Sequence, residues 1–219
     1  MIQIINTGVA NIRSLQASFD RLNQPWNLTE SADDVREATH VVLPGVGAIA
    51  AAAESLDQLG LRDALRQRIA DSDRSTLCIC LGMQLLFDAS EESDSARGLG
   101  IIPLTVKRFP DDLPVPQLGW NSVKLKRPDA SGTSRFDDGE AYFANSFRLV
   151  DAPPDDWGFA ETDYGGHFVS SLWRGHTLAC QFHPELSGSW GEQLLRNWVM
   201  RVTLPQKTLP TSLSEESSC

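Results

Sequence analysis

Thr76-Leu77-Cys78-Ile79-Cys80-Leu81-Gly82-Met83-Gln84-Leu85-Leu86-Phe87 is the stretch on which the reading of this chain turns. A short, β-prone apolar run meets a cysteine, then a glycine, then a run of helical character. Where a strand turns sharply into a helix, the residue at the turn faces the unpaired N–H groups of the helix N-terminus, which favour an anion. A free thiol, with a pKa of roughly 8.5, is little ionised at neutral pH, so a site of this kind is one way to obtain a thiolate nucleophile. Cys80 occupies the turn, and Gly82 can take the backbone shape that a tight elbow needs. An isolated cysteine at a strand end reads more readily as a small buried apolar residue. Here the elbow setting favours chemistry.

A second stretch, Gln181-Phe182-His183-Pro184-Glu185, supplies what such a nucleophile needs. Proline after His183 disfavours the helical conformation and pushes the histidine to an extended one. In an extended chain residues i and i+2 face the same way, so Glu185 is expected beside the His183 ring, holding its tautomer. His40, His167 and His176 have no acidic residue two positions on. The two stretches together read as a Cys80–His183–Glu185 triad. A third element, Pro44-Gly45-Val46-Gly47, follows a strand, and its glycines allow backbone N–H groups to face an oxyanion.

Around these motifs the first ninety residues alternate strand and helix signals. Strands are expected at Ile2–Ile5, Trp26–Thr29, Thr39–Leu43 and Thr76–Ile79. Helices are expected at 11–22, 49–59, 61–70 and onward from Gly82. Such alternation implies a parallel sheet covered by helices on both faces. From Ile101 onward, short strand-like runs are separated by Pro, Gly and Asp clusters and read as hairpins added to that sheet. A last helix is expected from about Gly191 to Val202, followed by a polar tail, 203–219, expected to be mobile. The fold class is therefore α/β: a flavodoxin-like, mostly parallel central sheet flanked by helices, with antiparallel hairpins in the second half. One domain, 1–202, is expected.

The chain has 219 residues, 41% of them hydrophobic, and a net charge of −10. That charge argues against binding nucleic acid or an anionic membrane surface. Met1 leads directly into a strand-like segment, and no apolar run reaches the ~20 residues of a membrane span. The four cysteines, Cys78, Cys80, Cys180 and Cys219, read as reduced thiols of a cytoplasmic protein. One alternative gathers Cys78, Cys80, Cys180 and His183 around zinc, although the elbow position of Cys80 suits catalysis better. No metal or organic cofactor is expected.

On Cys80-Leu81-Gly82-Met83-Gln84 and Gln181-Phe182-His183-Pro184-Glu185 the chain resembles the class I (triad) glutamine amidotransferases. It is most similar to those that form the glutaminase subunit of imidazole glycerol phosphate synthase, in histidine biosynthesis. That narrower likeness rests on Thr7-Gly8-Val9-Ala10-Asn11, Pro44-Gly45-Val46-Gly47, Ser90-Glu91-Glu92 and Pro116-Gln117-Leu118-Gly119-Trp120-Asn121. The resemblance implies that Cys80 attacks the side-chain amide of glutamine, that His183 moves protons and that Glu185 holds His183. It implies oxyanion stabilisation by backbone N–H groups of Val46, Gly47 and Leu81, and substrate contacts from Gly45, Gln84, Glu92, Asn145 and Ser146. It further implies that ammonia passes to a separate (β/α)8-barrel cyclase subunit, which makes imidazole glycerol phosphate and an aminoimidazole carboxamide ribonucleotide. Asn11, Trp120, Asn121 and Leu186 would lie at that heterodimer interface, and the free glutaminase would be nearly silent.

The sequence departs from the family pattern at several positions. Cys78 stands where the family has glycine, Asn145 where it has histidine, Phe147 where it has tyrosine, Leu186 where it has lysine or arginine, and Asn6 where it often has an acid. Two further readings follow from these departures: a divergent paralogue that supplies ammonia to another acceptor enzyme, and a non-catalytic scaffold of the same fold.

Overall fold

The computed structural model describes residues 1–8, 12–70, 73–130, 132–201 and 204–205. The first half builds β1 (Ile2–Ile5), α1 (Arg13–Arg21), β2 (Trp26–Thr29), α2 (Ala32–Glu37), β3 (His40–Leu43), α3 (Ile49–Gln58), α4 (Arg62–Ala70) and β4 (Ser75–Ile79). A single helical turn, α5 (Leu81–Gln84), follows. The second half holds β5 (Phe87–Ser90), β6 (Ile102–Arg108), β7 (Gln117–Arg127), β8 (Thr133–Ser134), β9 (Gly139–Asn145) and β10 (Phe147–Arg148). Next come β11 (Gly158–Asp163), β12 (His167–Arg174), β13 (Thr177–Cys180), a 3-10 turn (Pro184–Leu186), α6 (Gly188–Val199) and β14 (Leu204–Pro205).

Nine strands form one sheet in the order β2-β1-β3-β4-β13-β12-β11-β7-β9. Pairing is parallel from β2 to β13 and antiparallel from β13 to β9. The expected parallel core with added hairpins is thus present. A smaller sheet, β10-β6-β5, stands apart from it.

Strand alternation explains why both faces are dry. Ile5, Val41, Leu43 and Cys78 enter one core with α2, α3 and α4. Ile4, Val42, Leu77 and Ile79 enter the other with Leu15 and Phe19 of α1 and Leu194, Leu195 and Trp198 of α6. Side chains one residue apart on a strand point to opposite faces. A strand buried on both faces therefore reads as a largely apolar run, as Val41-Val42-Leu43 of β3 and Leu77-Cys78-Ile79 of β4 do. No described helix is long and apolar enough to cross a membrane.

Beyond shifts of a residue or two at element ends, two helices differ from the sequence expectation and one was missed. The helical run expected from Gly82 ends at Gln84, and Phe87 already opens β5, so the local apolar pattern is shared between a turn of helix and a buried strand. α6 starts at Gly188, before the expected Gly191, and stops at Val199 rather than Val202. α2 was not foreseen; Ser31 caps it by accepting from the Asp34 N–H at 3.3 Å. The tail expected beyond residue 202 lies outside the described residues, except for Leu204–Pro205, which pair with β8.

Candidate active site

Cys80 stands between β4 and α5 with φ 53° and ψ −109°, a backbone conformation that a non-glycine residue avoids unless its surroundings enforce it. The enforcement is visible. The Cys80 N–H donates to the Cys180 carbonyl at 2.7 Å, and the Cys80 carbonyl accepts from Met83 and Gln84. Gly82 serves a different purpose from the one expected, because the left-handed φ belongs to Cys80 itself. A Cβ on Gly82 would lie 2.0 Å from the Leu43 carbonyl oxygen, and one on Gly45 would lie 2.8 Å from Leu81 Cβ. These two glycines let the loop after β3 close onto the elbow.

β13 runs parallel to β4 with Cys180 opposite Ile79. Continuing that register carries the chain through Gln181 and Phe182 to His183. His183 is extended, with φ −101° and ψ 94°, as the following proline dictates. Glu185 reaches the ring by another route than strand alternation: Pro184–Leu186 forms a 3-10 turn, which swings the carboxylate back to His183. Nδ1 of His183 lies 2.9 Å from Glu185 Oε1. Both side chains are more than nine-tenths buried. With Nδ1 engaged there, Nε2 is the ring nitrogen left for Cys80. Burial is the largest single influence on the imidazole and works downward. Hydrogen bonds to Cys80 and Glu185, and the charges of both, outweigh it and push the His183 pKa up to about 10.

The three side chains adjoin a cavity of about 370 Å³ lined by Val46, Gly47, Cys80, Leu81, Gln84, Glu92, Pro116, Ala144, Asn145, Ser146, Phe147 and His183. Of the expected substrate contacts, Gln84, Glu92, Asn145 and Ser146 stand on its wall, whereas Gly45 packs behind it against Leu81. Glu92 also caps α3, its Oε2 accepting from the Ile49 N–H at 3.2 Å. Gln84 Nε2 donates to Gln181 Oε1 at 2.9 Å and to the Phe147 carbonyl at 3.4 Å, so only its oxygen is left for a ligand. Asn145 turns its amide nitrogen to the Phe147 carbonyl at 2.9 Å. The expected oxyanion donors line the cavity, yet the Leu81 N–H is directed at the Gly45 carbonyl at 3.3 Å.

Trp120 and Leu186 are exposed, at 57% and 42%, and Leu118 more so, at 68%. Trp120 leans on the start of α6, where a Cβ on Gly188 would meet its ring at 3.6 Å. Asn121 is engaged within the chain, donating to the Asp163 carbonyl at 2.8 Å. Asn11 lies outside the described residues. Asn6 donates to Glu30 at 2.8 Å. Sequence reasoning passed over Gln181 as a participant, although its place directly after β13 and two residues before His183 was the available signal. It also assigned no role in the cavity to Pro116 or Ala144.

The zinc alternative fails on geometry. Cys78 faces the α3–α4 core while Cys80 and Cys180 face the α1–α6 core. Among the described residues no three His, Cys, Asp or Glu side chains converge as metal ligands would. Burial pushes the Cys78 thiol up to about 12, with only slight relief from Arg68, and Cys180 higher still.

Comparison with known proteins identifies the family. The family model for glutamine amidotransferase class-I matches residues 2–202. A protein of Moorella thermoacetica named imidazole glycerol phosphate synthase subunit HisH is 39% identical, the match covering 90% of this chain and 93% of that one. The Arabidopsis thaliana protein named imidazole glycerol phosphate synthase hisHF, chloroplastic, is 36% identical over 91% of this chain and 34% of its own longer one. A crystal structure titled glutamine amidotransferase superposes with a TM-score of 0.71 at 15% identity, covering 91% of this chain and 97% of that one, and so shares the fold. The chain belongs to the class I glutamine amidotransferases and, within them, to the family of HisH subunits of imidazole glycerol phosphate synthase.

Proposed function

We propose that the chain hydrolyses glutamine to glutamate and ammonia through a thioester on Cys80 and delivers the ammonia to a cyclase subunit of imidazole glycerol phosphate synthase. The observation that carries the reading is one constellation. A strained cysteine elbow faces a histidine whose other nitrogen is held by a buried carboxylate at 2.9 Å, beside a cavity of substrate size. Its relatives named as HisH subunits of imidazole glycerol phosphate synthase support the reading.

The geometry supports the following steps. The Cys80 thiolate bonds to the side-chain carbonyl carbon of glutamine, and the carbonyl electron pair moves to oxygen. That pair returns as the C–N bond breaks, and His183 gives its Nε2 proton to the nitrogen, which leaves as ammonia. Neutral His183 then takes a proton from water as the water oxygen attacks the thioester. The C–S bond breaks, glutamate leaves and the thiolate is restored. The oxyanion requires N–H donors. In the conformation described, Leu81 spends its N–H on the Gly45 carbonyl. Rotation of the Gly45–Val46 peptide would release Leu81 and present the Val46 N–H to the cavity together. Until that rotation occurs, the chain is expected to turn over glutamine slowly.

The partner is proposed as a (β/α)8-barrel cyclase in a heterodimer, docked on the side of Leu118, Trp120 and Leu186. The name hisHF on one longer plant chain supports a HisF partner. With the cyclase present, Cys80→Ala is expected to reduce glutamine-dependent synthesis to background and to spare synthesis from ammonium salts. Glutamine-dependent turnover by the variant would refute the assignment. A second reading, the same hydrolysis for another acceptor, is favoured by Leu186, an exposed apolar residue where the family carries a cation. Failure of a cyclase subunit to co-purify would favour it.

A further inference from the structure

The parallel register of β4 and β13, taken one step past Ile79–Cys180, sets Gln181 beside Cys80. The Gln181 backbone is anchored by its N–H to the Ser170 carbonyl at 2.9 Å, and the residue is 1% exposed. A buried amide costs free energy unless its polar atoms are matched, and here both are. Oε1 accepts from Gln84 at 2.9 Å, which fixes the orientation of the amide. Nε2 is thereby turned to Cys80 Sγ, at 3.6 Å, a hydrogen-bonding distance for the larger sulfur atom. A hydrogen bond to an ionised acceptor is about twice as strong as a neutral one, so this contact gains strength when the sulfur becomes a thiolate.

The elbow also needs a steering contact. Cys80 has a backbone conformation that leaves its side chain without the support of a regular strand or helix, and the side chain of the α5 N-cap makes no hydrogen bond to that helix. His183 approaches the sulfur as the proton carrier and must release it during turnover. Gln181 carries no transferable proton at neutral pH, and can hold the sulfur through the whole cycle.

We propose that Gln181 is a positioning residue. Its side-chain amide stabilises and aims the Cys80 thiolate and ties it to Gln84 on the cavity wall, so that a ligand engaging Gln84 is felt at the sulfur. The proposal rests on Cys80 being the nucleophile.

The test uses the full chain with two near-isosteric variants. Gln181→Glu keeps an oxygen for Gln84 but places an acceptor against the sulfur; Gln181→Met removes both contacts. The rate constant for Cys80 alkylation by iodoacetamide, followed site by site by mass spectrometry, is expected to fall about tenfold in either variant at pH 7. Because it is a rate per folded site, loss of folded protein alone does not change it. In the complex with the cyclase subunit, Gln181→Glu is expected to lower kcat for glutamine about tenfold with KM within twofold. A rate constant and kcat both within twofold of the unsubstituted protein would overturn the proposal. Should neither variant fold, the side-chain amide resonance of Gln181 in the unsubstituted protein decides. It is expected to move when Cys80 is capped, and an unmoved resonance overturns the proposal. Alkylation that ignores Cys80 altogether would instead refute the nucleophile assignment.

Discussion

His183 is where burial and charge oppose each other most directly. Burial disfavours an imidazolium, yet Cys80 on one side and Glu185 on the other bring its pKa to about 10. The second oxygen of Glu185 is buried without a hydrogen bond, so the carboxylate directs its charge to the ring. The folded pKa is raised above the ordinary 6.5, so the protonated histidine stabilises the fold fully below about 6.5, and that stabilisation is lost as pH rises through about 10. The urea midpoint is therefore expected to fall more between pH 7 and pH 10.5 in the unsubstituted protein than in His183→Gln. Parallel curves for the two proteins would contradict the ion-pair account. The residue types of the triad were legible in the sequence because each carries its own chemistry and the proline marks a chain turn. The role of Gln181 was not, because it depends on which strand lies beside β4.

The elbow is an arrangement of elements rather than a property of one residue. β4 delivers Cys80, the loop after β3 presses on α5 from behind, and β13 holds the Cys80 N–H. Gly82 is the contact point. A methyl there would sit 2.0 Å from the Leu43 carbonyl oxygen, a backbone atom that cannot swing aside. Gly82→Ala is accordingly expected to destabilise the fold by about 3 kcal/mol, at the upper end of overpacking effects, and to slow Cys80 alkylation. Urea denaturation checks the first and labelling the second; an unchanged midpoint would show that the loop can retreat. The strand–turn–helix order was readable from apolar runs and glycines. The shortness of α5 was not, since Leu85-Leu86-Phe87 suits a helix and a buried strand equally until β6 supplies the partner of β5.

Taken as a whole, the molecule buries both faces of the parallel half of its sheet and leaves large apolar side chains exposed on the antiparallel half, near the candidate site. Leu118 and Trp120 project from β7, two residues apart and so on the same side, and Leu186 follows Glu185 directly. Trp120 is supported by an edge-on contact with Tyr142 at 6.3 Å and contributes little to the core at 57% exposure. Trp120→Ala is expected to weaken binding of the cyclase subunit about 30-fold, the ~2 kcal/mol of a binding hot spot, and to leave the unfolding midpoint unchanged. Calorimetric titration measures the first; equal affinity of both proteins would move the interface elsewhere.

By itself the sequence determined the alternation of strands and helices, the burial of the parallel strands on both faces, and the choice of Cys80, His183 and Glu185 as the candidate triad. These follow from short-range rules: side-chain periodicity, the conformational limits around proline and glycine, and the chemistry of thiol, imidazole and carboxylate. Only the tertiary structure decided the rest. It placed the left-handed φ on Cys80 rather than Gly82, brought Glu185 to His183 by a 3-10 turn, and set Gln181 against the sulfur. It also buried Arg68 of α4, 2% exposed, with its guanidinium donating to the carbonyls of Val35, Ala38, Thr39 and Ser75. The 3-10 turn is a local choice that proline permits but does not dictate. The other three depend on which backbone segment comes to lie beside another, and a sequence read along its own length carries the period of a strand but not its neighbour.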